Sequence, residues 1–462
     1  MKRLMVINVV GLTSEMIGSD TPNLSRLAAD GFQCPMKTVL PAVTCSVQAS
    51  MMTGRMPSEH GIVGNGWYFR DLAEVMFWKQ ANQLVSGEKV FQTARLRDTE
   101  HTTACLFWWY NMYADVNWSV TPRPSYPADG RKIPDLYSSP ADLRDELQSR
   151  LGKFPLFHFW GPTADILSSR WIADSSVDVW KNQSPSLMLV YLPHLDYNLQ
   201  RIGPHNPAIR DDVRLVDREC GKLINASREA GAEVLVVSEY GITETTRVVH
   251  INRVLRDNGF LTVRREPLGW ETLDCGASRA FAVADHQVAH IYVRDPSRDL
   301  VAVRKLLDRT DGIERVLVSE EQKTLGLLHE RSGDLVAVSA RDSWFSYYFW
   351  MDDALAPDYA RTVDIHRKPG YDPAELLVNP DLRFPKLRVA ARLLQKMLGF
   401  RYYMDVIGLK AEVVRGSHGR LPDADQMLSD WPVAICSARS CEAEQMHVCD
   451  VRNLILRLQF GA

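Results

Sequence analysis

Residues 186–241 contain the stretch of sequence that decides the fold. SLMLVYL (186–192) is followed, after a polar turn, by DVRLVDRECGKLINASREAG (212–231) and then by AEVLVVSEYG (232–241). The first and third segments are short continuous apolar runs, which are typical of strands buried on both faces. The middle segment has the apolar spacing of an amphipathic helix. A buried strand, a helix and a second buried strand together indicate a parallel β-sheet covered by helices.

The same alternation begins at the amino end. LMVINVV (4–10) is another buried strand, and TPNLSRLAADG (21–31) follows as a helix with proline near its start and glycine just past its end. We therefore predict an α/β fold with a doubly wound, mostly parallel sheet.

Two stretches interrupt the alternation. They cover approximately residues 66–180 and 260–410 and are rich in tryptophan, tyrosine and proline. We expect one domain over residues 1–462, in which these stretches are insertions that form a cap. Their aromatic runs FWWYNMY and DSWFSYYFWMDD either wall a substrate pocket or, as is more usual for aromatic clusters, form core.

Composition excludes several classes of protein. The chain has 54 basic and 57 acidic residues and a net charge of -3, so no basic surplus favours nucleic acid. No segment reaches the roughly 18 apolar residues of a membrane span, and the amino-terminal apolar run is too short for a signal peptide. We expect a cytoplasmic protein without a membrane span; its oligomeric state is left open.

The eight cysteines are scattered along the chain, which favours reduced thiols over a disulfide framework. A group of cysteines and a histidine near the end of the chain is a candidate zinc site. It lacks a CxxC pair, so buried core cysteines are the favoured interpretation. The group consists of Cys436, Cys441, His447 and Cys449.

Polar residues directly after strands are candidates for chemistry, because ligands of open α/β sheets bind at the carboxyl ends of the strands. Thr44 lies at a turn into a helix. By itself this position suggests a helix cap. The alternative is a nucleophile at a helix amino end that binds a phosphoryl group.

The order TPNLSRLAADG (21–31) then PAVTCSVQASMMTGRMPSEHGIVGN (41–65) resembles the opening of the type I phosphodiesterase/nucleotide pyrophosphatase branch of the alkaline phosphatase superfamily. The resemblance implies an alkaline-phosphatase-like core. It also implies that Thr44 is the nucleophile and that Asn65 helps to hold the transferred phosphoryl oxygens. Two zinc or similar ions are the usual cofactors, because they activate the nucleophile and neutralise phosphoryl charge.

One of the family's two metal sites is altered. Its first-strand Asp-Gly corresponds to Val10-Gly11 here, so one carboxylate is lost. Its later Asp-His corresponds to Glu239-Tyr240, which retains a carboxylate and loses an imidazole.

The other metal site is better retained. The family's Asp-x-x-x-His appears as Asp196 and Gln200, and its final His-Gly as His418-Gly419. The resemblance thus gives Asp196, His418 and Glu239 as ligands and Gln200 as a weak one. We expect a divalent metal, with zinc favoured; one ion is easier to support than two.

Six further residues are candidates for metal binding or substrate contact, and for each of them a structural role is the alternative explanation. The candidates are His194, Asp285, His286, His290, Asp364 and His366. Arg131, Lys132 and Arg367 are candidates for substrate phosphate, with solvated surface charge as the usual explanation.

The sequence therefore predicts a metal-dependent phosphoester hydrolase, either a phosphatase or a phosphodiesterase. It would act on a small phosphorylated substrate through a covalent phospho-Thr44 intermediate. Two alternatives stay open. One is a catalytically weakened relative that binds a metabolite or partner, and the other is a phosphoryl transferase or isomerase on the same fold.

Overall fold

The computed structural model describes residues 1–461. Its strands are β1 (Leu4–Val9), β2 (Phe32–Lys37), β3 (Gly66–Phe69), β4 (Glu74–Phe77), β5 (Thr103–Leu106), β6 (Trp118–Pro122), β7 (Leu136–Ser139), β8 (Leu187–Leu192), β9 (Glu233–Val237), β10 (Thr243–Glu244), β11 (Arg247–Val249), β12 (Val263–Arg265), β13 (Glu271–Leu273), β14 (Ala280–Asp285), β15 (Val288–Val293), β16 (Ile313–Leu317), β17 (Leu335–Ser339), β18 (Ser343–Phe345), β19 (Gly416–Ser417), β20 (Val433–Cys436) and β21 (Met446–His447).

The α-helices alternate with these strands. They are α1 (Pro22–Asp30), α2 (Thr44–Thr53), α3 (Pro57–His60), α4 (Val90–Arg97), α5 (Leu143–Leu151), α6 (Ile166–Gln183), α7 (His194–Ile202), α8 (Ile209–Glu229), α9 (Ile251–Asp257), α10 (Pro296–Leu307), α11 (Ser319–Thr324), α12 (Pro385–Met397) and α13 (Val451–Phe460).

A nine-stranded sheet forms the centre of the molecule, in the order β21-β2-β20-β9-β1-β8-β5-β6-β7. The run from β9 through β6 is parallel, whereas β20 and β7 are antiparallel to their neighbours. The predicted α/β class with a mostly parallel sheet is confirmed.

Both faces of the central strand β1 are buried. Met5 and Ile7 belong to the core under α1, α6 and α8, while Leu4 and Val6 belong to the core under α2, α4 and α13. This arrangement is the reason for the continuous apolar run of β1, since alternate side chains of a strand point to opposite faces.

The first predicted insertion differs in detail from the structure. Strands β5 to β7 lie in the central sheet and α6 packs against α8, so much of residues 66–180 belongs to the core. Within residues 260–410, β14 to β17 form a separate antiparallel sheet. Most of both aromatic runs is buried, including Phe107 and Trp350. In the part of the chain that the structure describes, no helix is long and apolar enough to cross a membrane.

Candidate active site

Thr44 is the first residue of α2 and lies at the carboxyl edge of the sheet. The residue that caps this helix is Val43, and the Thr44 side chain makes no capping hydrogen bond. Its Oγ1 lies 3.0 Å from the phenol oxygen of Tyr240 and is almost fully buried. The hydroxyl is therefore free of the capping role and projects into a polar pocket at a helix amino end.

Tyr240 connects Thr44 to the better retained ligands. Its hydroxyl donates to Asp196 Oδ1 over 3.5 Å, which leaves the phenol oxygen to accept from Thr44. Its ring stacks on that of His418, with centroids 3.7 Å apart and planes 5° from parallel. A phenol thus lies where the family has an imidazole ligand, and it makes hydrogen bonds there.

Asp196 and His418 face each other across the pocket, with Oδ1 and Nε2 3.9 Å apart. The Nδ1 of His418 donates to the backbone oxygen of Ala42 over 2.8 Å. Because Nδ1 carries the hydrogen, the lone pair of Nε2 is available toward Asp196. The Gln200 amide donates to Asp196 Oδ2 over 2.7 Å.

Glu239 is held by two amides. Its Oε1 accepts from Asn8 over 2.5 Å and from Gln48 over 2.6 Å, while Oε2 is buried without a partner among the described residues. Val10, the residue that replaces the family's first carboxylate, lies in the apolar core.

Asn65 is fixed opposite Thr44. Its side-chain oxygen accepts from the backbone of Cys45, and its Nδ2 donates to Tyr371 and to Asp285 Oδ1. Tyr371 donates to Asp285 over 2.9 Å and lies 3.1 Å from His286 Nε2. The His286 ring lies over His418 with centroids 4.0 Å apart. Two of the additional candidates, Asp285 and His286, thus border the site.

Three buried carboxyl groups lie at or beside this pocket without a lysine or arginine partner. Burial raises the pKa of Asp196 to about 7, of Glu239 to about 8 and of Asp285 to about 6. Within residues 1–461, no lysine or arginine forms an ion pair with any of them. This surplus of buried acid is a physical reason to expect a cation.

The structure places the remaining candidates elsewhere. His194 Nε2 lies 3.1 Å from Asp212, outside the pocket, and both ring nitrogens of His290 contact backbone atoms. Asp364 contacts Tyr126 and has Lys132 at 3.7 Å.

The other basic candidates also lie away from Thr44. His366 lines a different cavity together with Arg367, whose guanidinium lies over the Tyr126 ring. Arg131 pairs with Asp129 at the surface. All eight cysteines are free.

Sequence reasoning missed several residues that position the site. Asn8 was detectable as the polar residue in an apolar strand, and Gln48 lies one helical turn after Thr44. Tyr371 gave no local signal, because its segment is distant in sequence. Three tryptophans form a wall of the pocket, namely Trp78, Trp109 and Trp160. Of these, only Trp109 belongs to an aromatic run that the sequence singled out as pocket wall or core.

The pocket itself is small, with a cavity volume of about 30 Å³. Thr44, Asn65, Asp196 and His418 line it together with the aromatic wall. Ligand pockets usually have volumes of roughly 300–1,000 Å³, so this cavity is smaller than a usual ligand pocket.

A divalent metal fits one part of this site. Asp196 and His418 offer a carboxylate and an imidazole lone pair that converge, and Gln200 Oε1 is buried without a partner among the described residues. A second metal does not fit, because Val10 has no ligand atom and the Tyr240 phenol is engaged with Thr44. Within residues 1–461, no group of three or more His, Cys, Asp or Glu side chains is arranged to hold a metal ion.

A hydroxyl at a helix amino end, an asparagine opposite it and converging acid and imidazole groups at the carboxyl edge of a parallel sheet define the class of alkaline-phosphatase-like proteins. The family model for type I phosphodiesterase/nucleotide pyrophosphatase matches residues 4–372. The chain belongs to this family, within the alkaline phosphatase superfamily, and the prediction from residues 21–65 is confirmed.

Individual relatives are distant. Human ectonucleotide pyrophosphatase/phosphodiesterase family member 7 is 21% identical over 285 residues, which are 59% of this chain and 54% of the human protein. The match therefore spans about half the length of that relative.

Solved structures support the fold over nearly the whole chain. Phosphonoacetate hydrolase from Sinorhizobium meliloti 1021, in complex with phosphonoformate, is 15% identical with a TM-score of 0.63; the match covers 99% of this chain and 96% of that one. An inactive variant of murine ectonucleotide pyrophosphatase/phosphodiesterase 5, in complex with AMP, is 14% identical with a TM-score of 0.57 and coverages of 99% and 95%.

Proposed function

We propose that this protein is a hydrolase of small phosphorylated substrates in which Thr44 receives the phosphoryl group. The observation that carries the proposal is the buried Thr44 hydroxyl at the start of α2, facing Asn65, Asp196 and His418 across one pocket. In the reaction, a bond forms between Thr44 Oγ1 and phosphorus and the bond to the leaving oxygen breaks. Water then releases the phosphoryl group from Thr44.

Residues of the chain prepare this attack. Tyr240 holds the Thr44 hydroxyl through the 3.0 Å contact, and the positive end of the α2 dipole favours the phosphoryl anion. Asn65 has an amide group that could turn from Tyr371 to a phosphoryl oxygen. The tryptophan wall excludes water and offers apolar surface to the leaving group.

Asp196 and His418 would hold one divalent cation, with Gln200 as a weak third donor, and we take zinc as the first ion to test. When bound, such a cation supplies Lewis-acid stabilisation of phosphoryl charge. Glu239 lies beside Thr44 and contributes to the site by accepting hydrogen bonds from the amides of Asn8 and Gln48.

The test is to trap the covalent intermediate. Purified protein is loaded with zinc, mixed with an aryl phosphate or a bis-aryl phosphate, quenched in acid and digested for mass spectrometry. We expect phosphate or phosphate ester on the peptide that contains Thr44, and none on the same peptide of Thr44→Ala. Turnover without any adduct on Thr44 would contradict the covalent mechanism.

A second candidate, a binding protein of weak activity, is favoured by the replacement of three family ligands by Val10, Gln200 and Tyr240. It predicts tight binding of a phosphate ester without turnover. Isothermal titration with an aryl phosphate, followed by product analysis of the same sample, separates the two functions.

A further inference from the structure

Helix α12 turns its apolar face away from the protein. None of its residues is buried, and Leu387, Leu394 and Met397 expose 67%, 54% and 82% of their surface. These positions recur every three or four residues with Ala390 and Ala391 between them, so they form one face of the helix. A continuous apolar stripe therefore faces solvent.

The polar face of the same helix is the one that contacts the chain. Arg388 and Arg392 both pair with Asp405, the second with Nε 3.3 Å from Oδ1. An ordinary surface helix packs its apolar face on the core and presents its charges to water. In α12 this orientation is reversed, and no residue within 1–461 packs over the apolar stripe.

The stripe continues beyond both helix ends. Phe384 before the helix and Leu398 and Phe400 after it expose 61%, 64% and 65% of their surface. Exposed apolar patches of this continuity mark interaction sites rather than ordinary protein surface.

The patch is also strongly cationic. Residues 383–401 contain six basic and no acidic residues. Four of the basic residues make no ion pair with any residue that the structure describes: Arg383, Lys386, Lys396 and Arg401. A groove of about 410 Å³ at the end of the helix is lined by Lys396, Arg401 and Arg131, with Asp129 beside Arg131.

These charges discriminate between possible partners. In a two-fold dimer the same patch would meet itself and bring like charges together, which disfavours a second copy. An anionic bilayer surface matches both properties, because acyl chains accept the apolar residues while lipid phosphates neutralise the cations.

We propose that α12 and its flanks, residues 383–401, dock this protein on the surface of membranes rich in anionic lipid. The helix has 13 residues and lies along the interface without crossing it. The groove lined by Lys396 and Arg401 receives a lipid headgroup. This inference does not depend on the chemistry at Thr44.

The full-length protein is tested by flotation with vesicles of phosphatidylcholine alone and of phosphatidylcholine mixed equally with phosphatidylserine. We expect binding to the mixed vesicles to be at least about tenfold stronger and to weaken as salt rises. One variant removes apolar contacts (Leu394→Gln with Met397→Gln). A second removes charge (Lys386→Gln with Arg401→Gln).

Two controls each make a single substitution of the same chemical kind elsewhere. Leu96→Gln alters another highly exposed leucine, on α4, and Lys323→Gln alters a lysine of α11. Both controls should bind vesicles like the wild type, whereas each α12 variant should lose at least about tenfold in affinity. All four variants should keep wild-type circular dichroism.

Equal binding to both vesicle types, or unchanged binding by both α12 variants, would overturn the proposal. Absence of vesicle binding, as expected for a protein partner, would overturn it too. So would a concentration-dependent dimer in sedimentation velocity that the Leu394→Gln with Met397→Gln variant abolishes, because a second copy would then cover the stripe.

Discussion

Two pairs of residues lie near Thr44: a retained side, Asp196 with His418, whose imidazole is oriented by the Ala42 carbonyl, and a rebuilt side, Glu239 with Tyr240. The two sides touch, because Tyr240 donates to Asp196 and stacks on His418. The first side keeps two strong ligand types whose atoms converge. The second side keeps one carboxylate, bound by two amides, and has a phenol in place of an imidazole. We infer that one half of the family's two-metal site corresponds here to a hydrogen-bonded network.

Thr44, the proposed nucleophile, contacts Tyr240 and faces Asp196 and His418, so its removal should have the largest effect. We expect Thr44→Ala to lower turnover of an aryl phosphate by about 10⁴-fold or more, since no other serine or threonine among the described residues lines this pocket. Stability should change by less than about 1 kcal/mol, because the side chain does not cap the helix. Thr44→Ser should keep part of the activity. Wild-type turnover by Thr44→Ala would place the reaction elsewhere.

The retained side should carry metal binding. His418→Ala removes one of two strong ligands, and we expect loss of the bound cation and at least about a 100-fold fall in turnover. Elemental analysis and kinetics on one preparation measure both. The control is His205→Ala, which alters an exposed histidine outside the pocket. Unchanged metal content in His418→Ala would show that the cation is held by other groups.

The rebuilt side should matter less. Tyr240→Phe keeps the ring that stacks on His418 and removes the hydroxyl that holds Thr44, which should cost about tenfold in turnover and leave metal content unchanged. Tyr292→Phe is the matched control, because this buried tyrosine lies outside the pocket and its hydroxyl donates to the backbone oxygen of Arg331. A loss as large as that of Thr44→Ala would give Tyr240 a greater role than positioning.

The smallest expected effect is the change in folding stability of the metal-free protein with pH. The pKa values of Asp196, Glu239 and Asp285 are raised by burial to about 7, 8 and 6. These three carboxyls hold more protons in the folded than in the unfolded state, so their contribution to the stability of the metal-free protein falls as pH rises. Buried histidines such as His418 and His366, whose pKa values are lowered to about 3, act in the opposite direction below about pH 6.5. The net fall in stability is therefore expected between about pH 7 and about pH 8, where histidines no longer titrate.

Thermal unfolding after chelation measures this trend. We expect Tm to fall by a few degrees from about pH 7 to about pH 8, and added zinc to raise Tm more at the higher pH because it needs ionised ligands. A metal-free Tm that rises over this range would contradict the sign.

The sequence was sufficient for the core of the fold, because continuous apolar strands such as β1 alternate with amphipathic helices. It misassigned part of residues 66–180, since β5, β6 and β7 are only four or five residues long and lie among aromatic segments. Short strands carry too little periodicity to be separated from loops.

Thr44 and Asp196 were predictable from their positions after strands, whereas Asn65 and His418 were implied by the family resemblance. All four line one pocket. The contacts of Tyr371 were not predictable, because they join residues 85 or more positions apart. The engagement of Tyr240 with Thr44 also required coordinates, since a sequence shows the loss of an imidazole but not what the phenol contacts.

The metal content of the wild-type protein, measured by elemental analysis after zinc loading and dialysis, tests the central claim most directly. The account predicts one ion per chain. The double variant Val10→Asp with Tyr240→His, which restores the family's ligands on the rebuilt side, should bind a second ion. Two ions in the wild type, or none, would contradict the account.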